Sequence, residues 1–346
     1  MVKFKSILSS LLRILRYTLI GIFALLVLLT LLVYLVCVRM PGDTLKGPLP
    51  PATADETKLA AELEKDVRYL SETIGVRCLA RGPETLAQTA DYIESELKAA
   101  GAWQVKREIY EVDGHQVANL VAELPGTRLP DSWIVIGGHY DTVPTAPGAD
   151  DNASAIAGLL ATARRLGAKA HDRSLRLVAY VNEEPPYFQT ERMGSLVNAR
   201  ASRLRNEQIE AVVVYEMLGC FSDDADSQHY PPPFSYFYPS VGNFIAFVGN
   251  LDSRALVHDL VEGFREQGRL PSDGLASPDM GTGIGFSDHW SYWQVGYPAV
   301  MVTDTAFFRY AHYHKPTDTA DKLDFQRMAR VISGLMPVIK SMLDKE

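Results

Sequence analysis

The sequence predicts an α/β fold: a mainly parallel but mixed central sheet with helices on both faces, preceded by one transmembrane helix. Three observations carry this expectation. Apolar, β-branched runs at Ser132–Ile136, Leu175–Val181 and Ala211–Tyr215 alternate with stretches whose apolar residues recur at helical spacing, Ala153–Leu166 and Met193–Leu204, which is the pattern of βαβ units. Each strand-like run is followed within three residues by histidine or acid: His139, Glu183-Glu184 and Glu216. Finally, Thr18–Val38 is 21 residues without a charge, enough to cross about 30 Å of hydrocarbon as a helix.

The apolar run ends in Val-Cys-Val-Arg with no small-residue cleavage site, so it reads as an anchor rather than a removable signal. Lys3, Lys5, Arg13 and Arg16 precede it while only Arg39 and Lys46 closely follow, which places residues 1–17 in the cytoplasm and exports the rest to the periplasm or cell exterior. Residues 18–38 then sit in the lipid bilayer. Met1–Met40 holds five basic residues and no acid, leaving 29 of the 34 basic residues against all 42 acidic ones beyond it. An exported surface of that sign repels phosphate backbones, so no nucleic acid is expected as a partner. Oligomeric state leaves no mark in the sequence. Three cysteines, Cys37, Cys78 and Cys220, make neither a disulfide scaffold nor a thiolate metal site. Cys78 and Cys220 could pair in an oxidising compartment or remain two free thiols.

Pro- and Gly-rich residues 39–54 read as a linker holding the domain off the bilayer. The single domain expected over 55–346 opens with two amphipathic helices, Asp55–Thr73 and Glu84–Ala100, the second stopped by Gly101. Trp103–Val112 and Val117–Leu124 flank Asp113-Gly114 and read as a β-hairpin. Loop 219–242 is rich in proline and in aromatic residues from Phe221 to Tyr238, the composition of an ordered lid over a pocket. Phe244–Val248 and Pro298–Val302 read as strands, Ser253–Gln267 and Asp324–Leu343 as helices, and Pro271–Gly285 as a Gly-rich loop.

The chemistry concentrates at the expected carboxyl ends of the strands. GGHYDTVPTAPGADDNAS (Gly137–Ser154) supplies His139, Asp141, Asp150 and Asp151; Glu183, Glu184, Glu216 and a histidine near 314 come from elsewhere. Each alone is an ordinary surface pair, cap or solvated turn. Neighbouring parallel strands bring their carboxyl ends side by side, and that many buried acids without cations would repel one another. Bound metal is the simplest relief, and imidazole with carboxylate is what catalytic zinc accepts.

The motifs GGHYDT, PGADDNASAIA, NEE, YEMLG, FSDHWSYWQVGYPAVMVTDT and HYHKPTDTADKLD, in this order across Leu59–Leu343, resemble those of the zinc-dependent aminopeptidases of metallopeptidase family 28, in particular a bacterial membrane-anchored type. The resemblance implies an α/β sandwich, two zinc ions per chain, peptide substrates, and hydrolysis of the amino-terminal peptide bond by a metal-bridging water. It makes Asp151 the carboxylate shared by both metals, with His139 and Glu216 completing one and Glu184 and His314 the other, and Glu183 the general base. Asp141 would hydrogen-bond the far ring nitrogen of His139, and Asp318 that of His314. It also implies a cis peptide bond at Asp151–Asn152. Many relatives carry Asp where Glu216 stands. His314 rather than His312 fits the family spacing to Asp318-Thr319, and His289 becomes a pocket or structural residue. Two other readings are a single-zinc acyltransferase resembling glutaminyl cyclases, which lacks the full ligand set, and an inactive receptor-like ectodomain.

Overall fold

The computed structural model describes residues 2–344 apart from 231, 233 and 280–282. Pro231 and Pro233 of the expected lid, part of the expected Gly-rich loop, and the side chains of Lys3 and Lys5 therefore lie outside what is described. Two compact units follow one another, Met1–Arg39 and Met40–Glu346.

The first unit is helix α1 (Val2–Val33), continued by a π-helical turn at Tyr34–Val38. Within it Ser10–Val38 is a 29-residue stretch long and apolar enough to cross a membrane, and its Leu, Ile and Phe side chains are exposed all round. A helix this apolar and exposed over most of that length is suited to lipid as solvent. Even its Thr30 hydroxyl is satisfied internally, donating to the Leu26 carbonyl at 2.9 Å.

In the second unit a capping box opens α2 (Ala54–Arg68): Glu56 N donates to Thr53 Oγ1 at 3.1 Å and Thr53 N to Glu56 Oε2 at 2.8 Å, satisfying amides that the first turn leaves without partners. Helix α3 (Pro83–Ala99) starts on proline, which has no amide to orphan. Strands β1 (Gln104–Val112) and β2 (His115–Leu124) form the hairpin expected around Asp113-Gly114. There follow β3 (Leu129–His139), α4 (Ala155–Leu166), β4 (Arg173–Tyr180), α5 (Gly194–Leu204), β5 (Gln208–Glu216), β6 (Ile245–Gly249), α6 (Arg254–Glu266), β7 (Ser272–Ala276), α7 (His289–Trp293), β8 (Ala299–Thr303) and α8 (Phe325–Leu343).

Among the described residues these strands make one mixed sheet in the order β1-β2-β4-β3-β5-β8-β6-β7. Its centre, β4-β3-β5-β8, is parallel; β2 runs antiparallel to β4, and β6 antiparallel to β8. The larger core lies under α2, α3, α4, α6 and α8, and the smaller, built on Val135, Val178, Val212 and Val214, under α5 and α7. The parallel centre aims the ends of β3, β4, β5 and β8 at one edge.

Two expectations are corrected. Strand β7 lies inside the stretch read as a loop, Pro271–Gly285: its sequence SDGLA has no β-branched residue, and its conformation is imposed by pairing with β6 along the sheet edge. Nor do residues 40–54 stand free as a linker. Arg265 donates to the carbonyls of Pro41 and Gly42 at 2.9 and 3.0 Å, Ser272 N to Thr44 Oγ1 at 2.9 Å and Arg330 to the Pro50 carbonyl at 2.6 Å, while Met40 and Leu49 pack against the larger core.

Candidate metal centre and its cavity

The centre is assembled from the turn after β3. Gly148 is left-handed (φ +63°), a conformation glycine adopts without penalty, and it turns the chain into Ala149–Ser154. Gly138, at the end of β3, faces the Tyr215 carbonyl so closely that a Cβ would lie 2.8 Å from it. The absence of that side chain lets the turn dock on β5. There Asn152 donates from Nδ2 to Glu216 Oε2 at 3.0 Å and accepts from Met217 N at 3.0 Å. Asp150 accepts from Gly219 N at 2.8 Å. The Asp151–Asn152 peptide bond is cis.

His139 Nε2 lies 3.4 Å from Asp151 Oδ1, 3.4 Å from Glu216 Oε2 and 3.9 Å from Glu183 Oε2. His314 Nε2 lies 3.0 Å from Asp151 Oδ2 and 3.3 Å from Glu184 Oε2. Two donor triads thus stand side by side, His139–Asp151–Glu216 and Asp151–Glu184–His314, each with its donor atoms within 4.8 Å of one another and sharing Asp151. His312 turns away to the Thr317 hydroxyl at 2.9 Å, and His289 is buried against the Ile284 carbonyl at 2.6 Å. Tyr313 stacks on His314 with ring centroids 3.8 Å apart.

The two carboxylates expected to orient the histidines also hold backbone amides. The nearest hydrogen-bond partner of His139 Nδ1 is the backbone carbonyl of Asp141, at 3.2 Å; the Asp141 carboxylate lies farther, at 3.5 Å, and accepts instead from Glu183 N and Glu184 N, both at 3.1 Å. Asp318 does not reach His314: it accepts from Asp150 N, Asp151 N and the Tyr310 hydroxyl at 2.9, 3.2 and 2.9 Å. Both acids hold the backbone that presents ligand candidates, because short carboxylates after a turn reach amides more readily than a distant ring. Asn152 and Ser287, which donates to Glu216 Oε2 at 2.6 Å, carry no signal in the sequence beyond being polar. Arg77 is fully buried and spans the turn, donating to the carbonyls of Tyr140, Pro147 and Gly148 at 2.8, 2.7 and 2.9 Å.

Electrostatics favour cations here. Burial, then the crowding of Glu184 and Glu216, raises Glu183 well above the ordinary glutamate range. Burial and the adjacent Asp151 push Glu184 up to about 8. Burial alone would discharge the imidazoles, but Glu216 and Glu183 hold His139 far above its usual value, and Asp151 and Glu184 raise His314 to about 10. Glu184 Oε1, shut off from solvent, has no hydrogen-bond partner, and His314 Nε2 faces only the carboxylates of Asp151 and Glu184. Two mixed imidazole–carboxylate triads, one with an unsatisfied carboxylate oxygen, fit a pair of divalent ions of the zinc type.

Beside the triads lies a cavity of about 860 Å³, including its mouth, with Glu216 and Asp273 both in its lining. Its walls are largely aromatic, among them Tyr230, Phe234, Phe244, Phe286 and Phe308, so the expected lid contributes directly.

Residues 119–339 match the model of Peptidase family M28. The chain is 35% identical over 327 residues to the uncharacterized protein YfbL of Escherichia coli, covering 92% of this chain and 98% of that one. It is 26% identical over 295 residues to a probable leucine aminopeptidase of Arthroderma otae, covering 80% of this chain and 69% of the relative. In fold it is similar to BSAP, a zinc aminopeptidase of Bacillus subtilis (TM-score 0.65, 14% identity, 86% of this chain and 97% of that one). A glutaminyl cyclase of Porphyromonas gingivalis has a comparable fold (TM-score 0.60, 18% identity, 82% and 98%).

Proposed function

This chain belongs to Peptidase family M28, and on that footing we propose that it is a membrane-anchored zinc aminopeptidase that hydrolyses the first peptide bond of peptides with a free amino terminus. The observation that carries this reading is the pair of donor triads sharing Asp151, with Glu183 beside them. His139 and Glu216 would hold one zinc, Glu184 and His314 the other, with Asp151 common to both. When bound, the two ions supply Lewis acidity that polarises the scissile carbonyl and eases ionisation of water.

The protein's own contribution is proton transfer and positioning. Glu183 holds no place in either triad and is buried at their edge. Its carboxylate takes a proton from the attacking water and returns it to the departing amine nitrogen as the C–N bond breaks; burial keeps its proton affinity high enough for both halves. Asp141 sets the backbone of Glu183, and Asn152 and Ser287 set Glu216. The cavity beyond Glu216 receives the side chain of the residue being released. Ser10–Val38 anchors the enzyme, and the basic residues before it favour a cytoplasmic amino terminus with residues 40–346 outside.

The full-length protein, purified in detergent, is expected to contain two zinc ions, to cleave aminoacyl amides but not their N-acetylated forms, and to lose activity to a chelator and regain it with zinc. A single zinc per chain, with release of pyroglutamyl peptide from amino-terminal glutamine, would establish the cyclase reading instead. Two bound zinc ions with no hydrolysis of any free-amino substrate would leave the inactive ectodomain.

A further inference from the structure

The cavity beside the triads has a floor dictated by strand register. Glu216 pairs with Thr303, Thr303 with Ala246 and Ala246 with Asp273. These four residues form one row across β5, β8, β6 and β7, on the same face of the sheet, because paired positions share a face. Three strand spacings separate its ends, about 14 Å. Parallel to it, Met301, Val248 and Leu275 form a second, apolar row. Ala246 brings only a small side chain to the row, which leaves a trough, and the rings of Tyr230, Phe234, Phe286, Phe307 and Phe308 complete the lining.

The charge in this trough is one-sided. Of the described residues lining the cavity the charged ones are Glu216 and Asp273, both acidic. Two arginines approach Asp273 from outside the cavity lining. Arg265 reaches round the edge strand to 3.6 Å from Asp273 Oδ1, but its donors go to Pro41 O, Gly42 O and Ser272 O. Arg309 donates to Gln228 Oε1 and to the carbonyls of Cys220 and Phe244. No described residue donates a hydrogen bond to the Asp273 carboxylate. Burial pushes it up to about 6 against the pull of Arg265 and Arg309, so it is mainly ionised at neutral pH.

We propose that Asp273 determines specificity, selecting peptides whose amino-terminal residue is basic, with an apolar stem lying along the Thr303–Ala246 trough among the aromatic rings and a cationic end at the Asp273 carboxylate. This rests on the aminopeptidase reading given above. Leucine fills only the part of the trough near Glu216, whereas lysine and arginine extend toward the far end. Aromatic faces and a carboxylate together are what a partly desolvated ammonium or guanidinium requires. Beyond Met40 the chain carries 29 of its 34 basic residues against all 42 acidic ones, a surface that draws cationic peptides in.

The comparison that tests this is lysine against norleucine, its isostere without the ammonium, as aminoacyl anilides with the full-length, zinc-loaded enzyme. The wild type is expected to favour lysine by about tenfold or more in kcat/KM. Asp273→Asn should reduce that ratio toward one, with the loss in the lysine and arginine substrates, and Asp273→Glu should retain a preference for lysine. Calorimetric binding of free lysine and free norleucine should show the same order without turnover, and it decides the matter if the Asp273 variants do not fold. Equal turnover and equal binding of the two in wild type, or an unchanged ratio in folded Asp273→Asn, would overturn the assignment. A wild type that hydrolyses neither substrate, nor leucine anilide, would instead remove the aminopeptidase reading on which the assignment rests.

Discussion

Two clusters of acids, one half-buried beside β4 and one buried at the carboxyl edge of the sheet, solve the same electrostatic problem in opposite ways. Around Arg176 on β4, Glu123 and Glu207 lie 2.8 and 2.7 Å from the guanidinium, which also lies over the Trp133 ring at 4.4 Å. The pairing outweighs burial, and Glu207 is held down at about 2. Beyond the end of that strand, at the carboxyl edge of the sheet, Asp151, Glu183, Glu184 and Glu216 meet, among the described residues, only His139 and His314 as ion-pair partners, and the glutamates are pushed up rather than down. A chain that supplies its own cation has built a structural element. One that withholds it has built a place for a cation from outside.

Breaking each cluster tests the contrast. Glu183→Gln is expected to lower kcat/KM by about 10² to 10⁴-fold while zinc content, measured by plasma mass spectrometry, stays at the wild-type value; unchanged turnover would remove Glu183 from the mechanism. Next in size, Arg176→Met takes the shared guanidinium from the half-buried Glu123 and Glu207, which keep Lys106 and Arg205 at 2.8 Å each, and should cost about 2 kcal/mol in urea unfolding, with activity per folded molecule preserved. The equivalent deletion of charge at the edge has the opposite sign: Glu184→Gln should stabilise the chelator-treated protein, because it relieves repulsion, and weaken zinc binding in the loaded one.

A smaller effect sharpens the comparison through pH. Glu207 has a depressed folded value, so its contribution is present above the unfolded glutamate range of about 4.3 and is lost as pH falls toward about 2. Glu184 and His314 have raised folded values, about 8 and about 10, so what they contribute to the metal-free protein is present at low pH and is lost as pH rises through those values. Urea midpoints of the metal-free protein should therefore climb on leaving acid and then decline through neutral pH, with Arg176→Met flattening the acid limb and saturating zinc abolishing the decline. A midpoint that keeps rising to pH 8 without metal would contradict the account of the edge. At the bottom of the scale, the exposed Lys98–Glu94 pair at 2.6 Å should matter by no more than about 0.5 kcal/mol when Lys98 becomes alanine.

The legibility of the chain in its sequence follows the same physics. Strands buried on both faces announce themselves as apolar β-branched runs, so β3, β4 and β5 were visible, and so was the Asp113-Gly114 hairpin, whose turn chemistry is local. Edge strand β7 was not, because SDGLA takes its conformation from β6 and has no periodic pattern of its own. Residues 40–54 read as spacer because proline and glycine are common in linkers, yet their carbonyls are captured by Arg265 and Arg330 from more than two hundred residues away. Cys78 and Cys220, which could have paired, are free thiols.

The sequence by itself determined the alternation of strands and helices, the apolar amino-terminal helix, and the set of histidines and acids that gather at the carboxyl edge, since these depend on residue type and local spacing. Only the tertiary structure decided what each does there. It gave Asp141 and Asp318 backbone amides to hold, brought Asn152 and Ser287 to Glu216, separated His314 from His312, and set Asp273 in line with Glu216 across three strand spacings. The reason is that a hydrogen bond or a row of side chains across a sheet joins residues by register and distance, and neither quantity is written in the order of the chain.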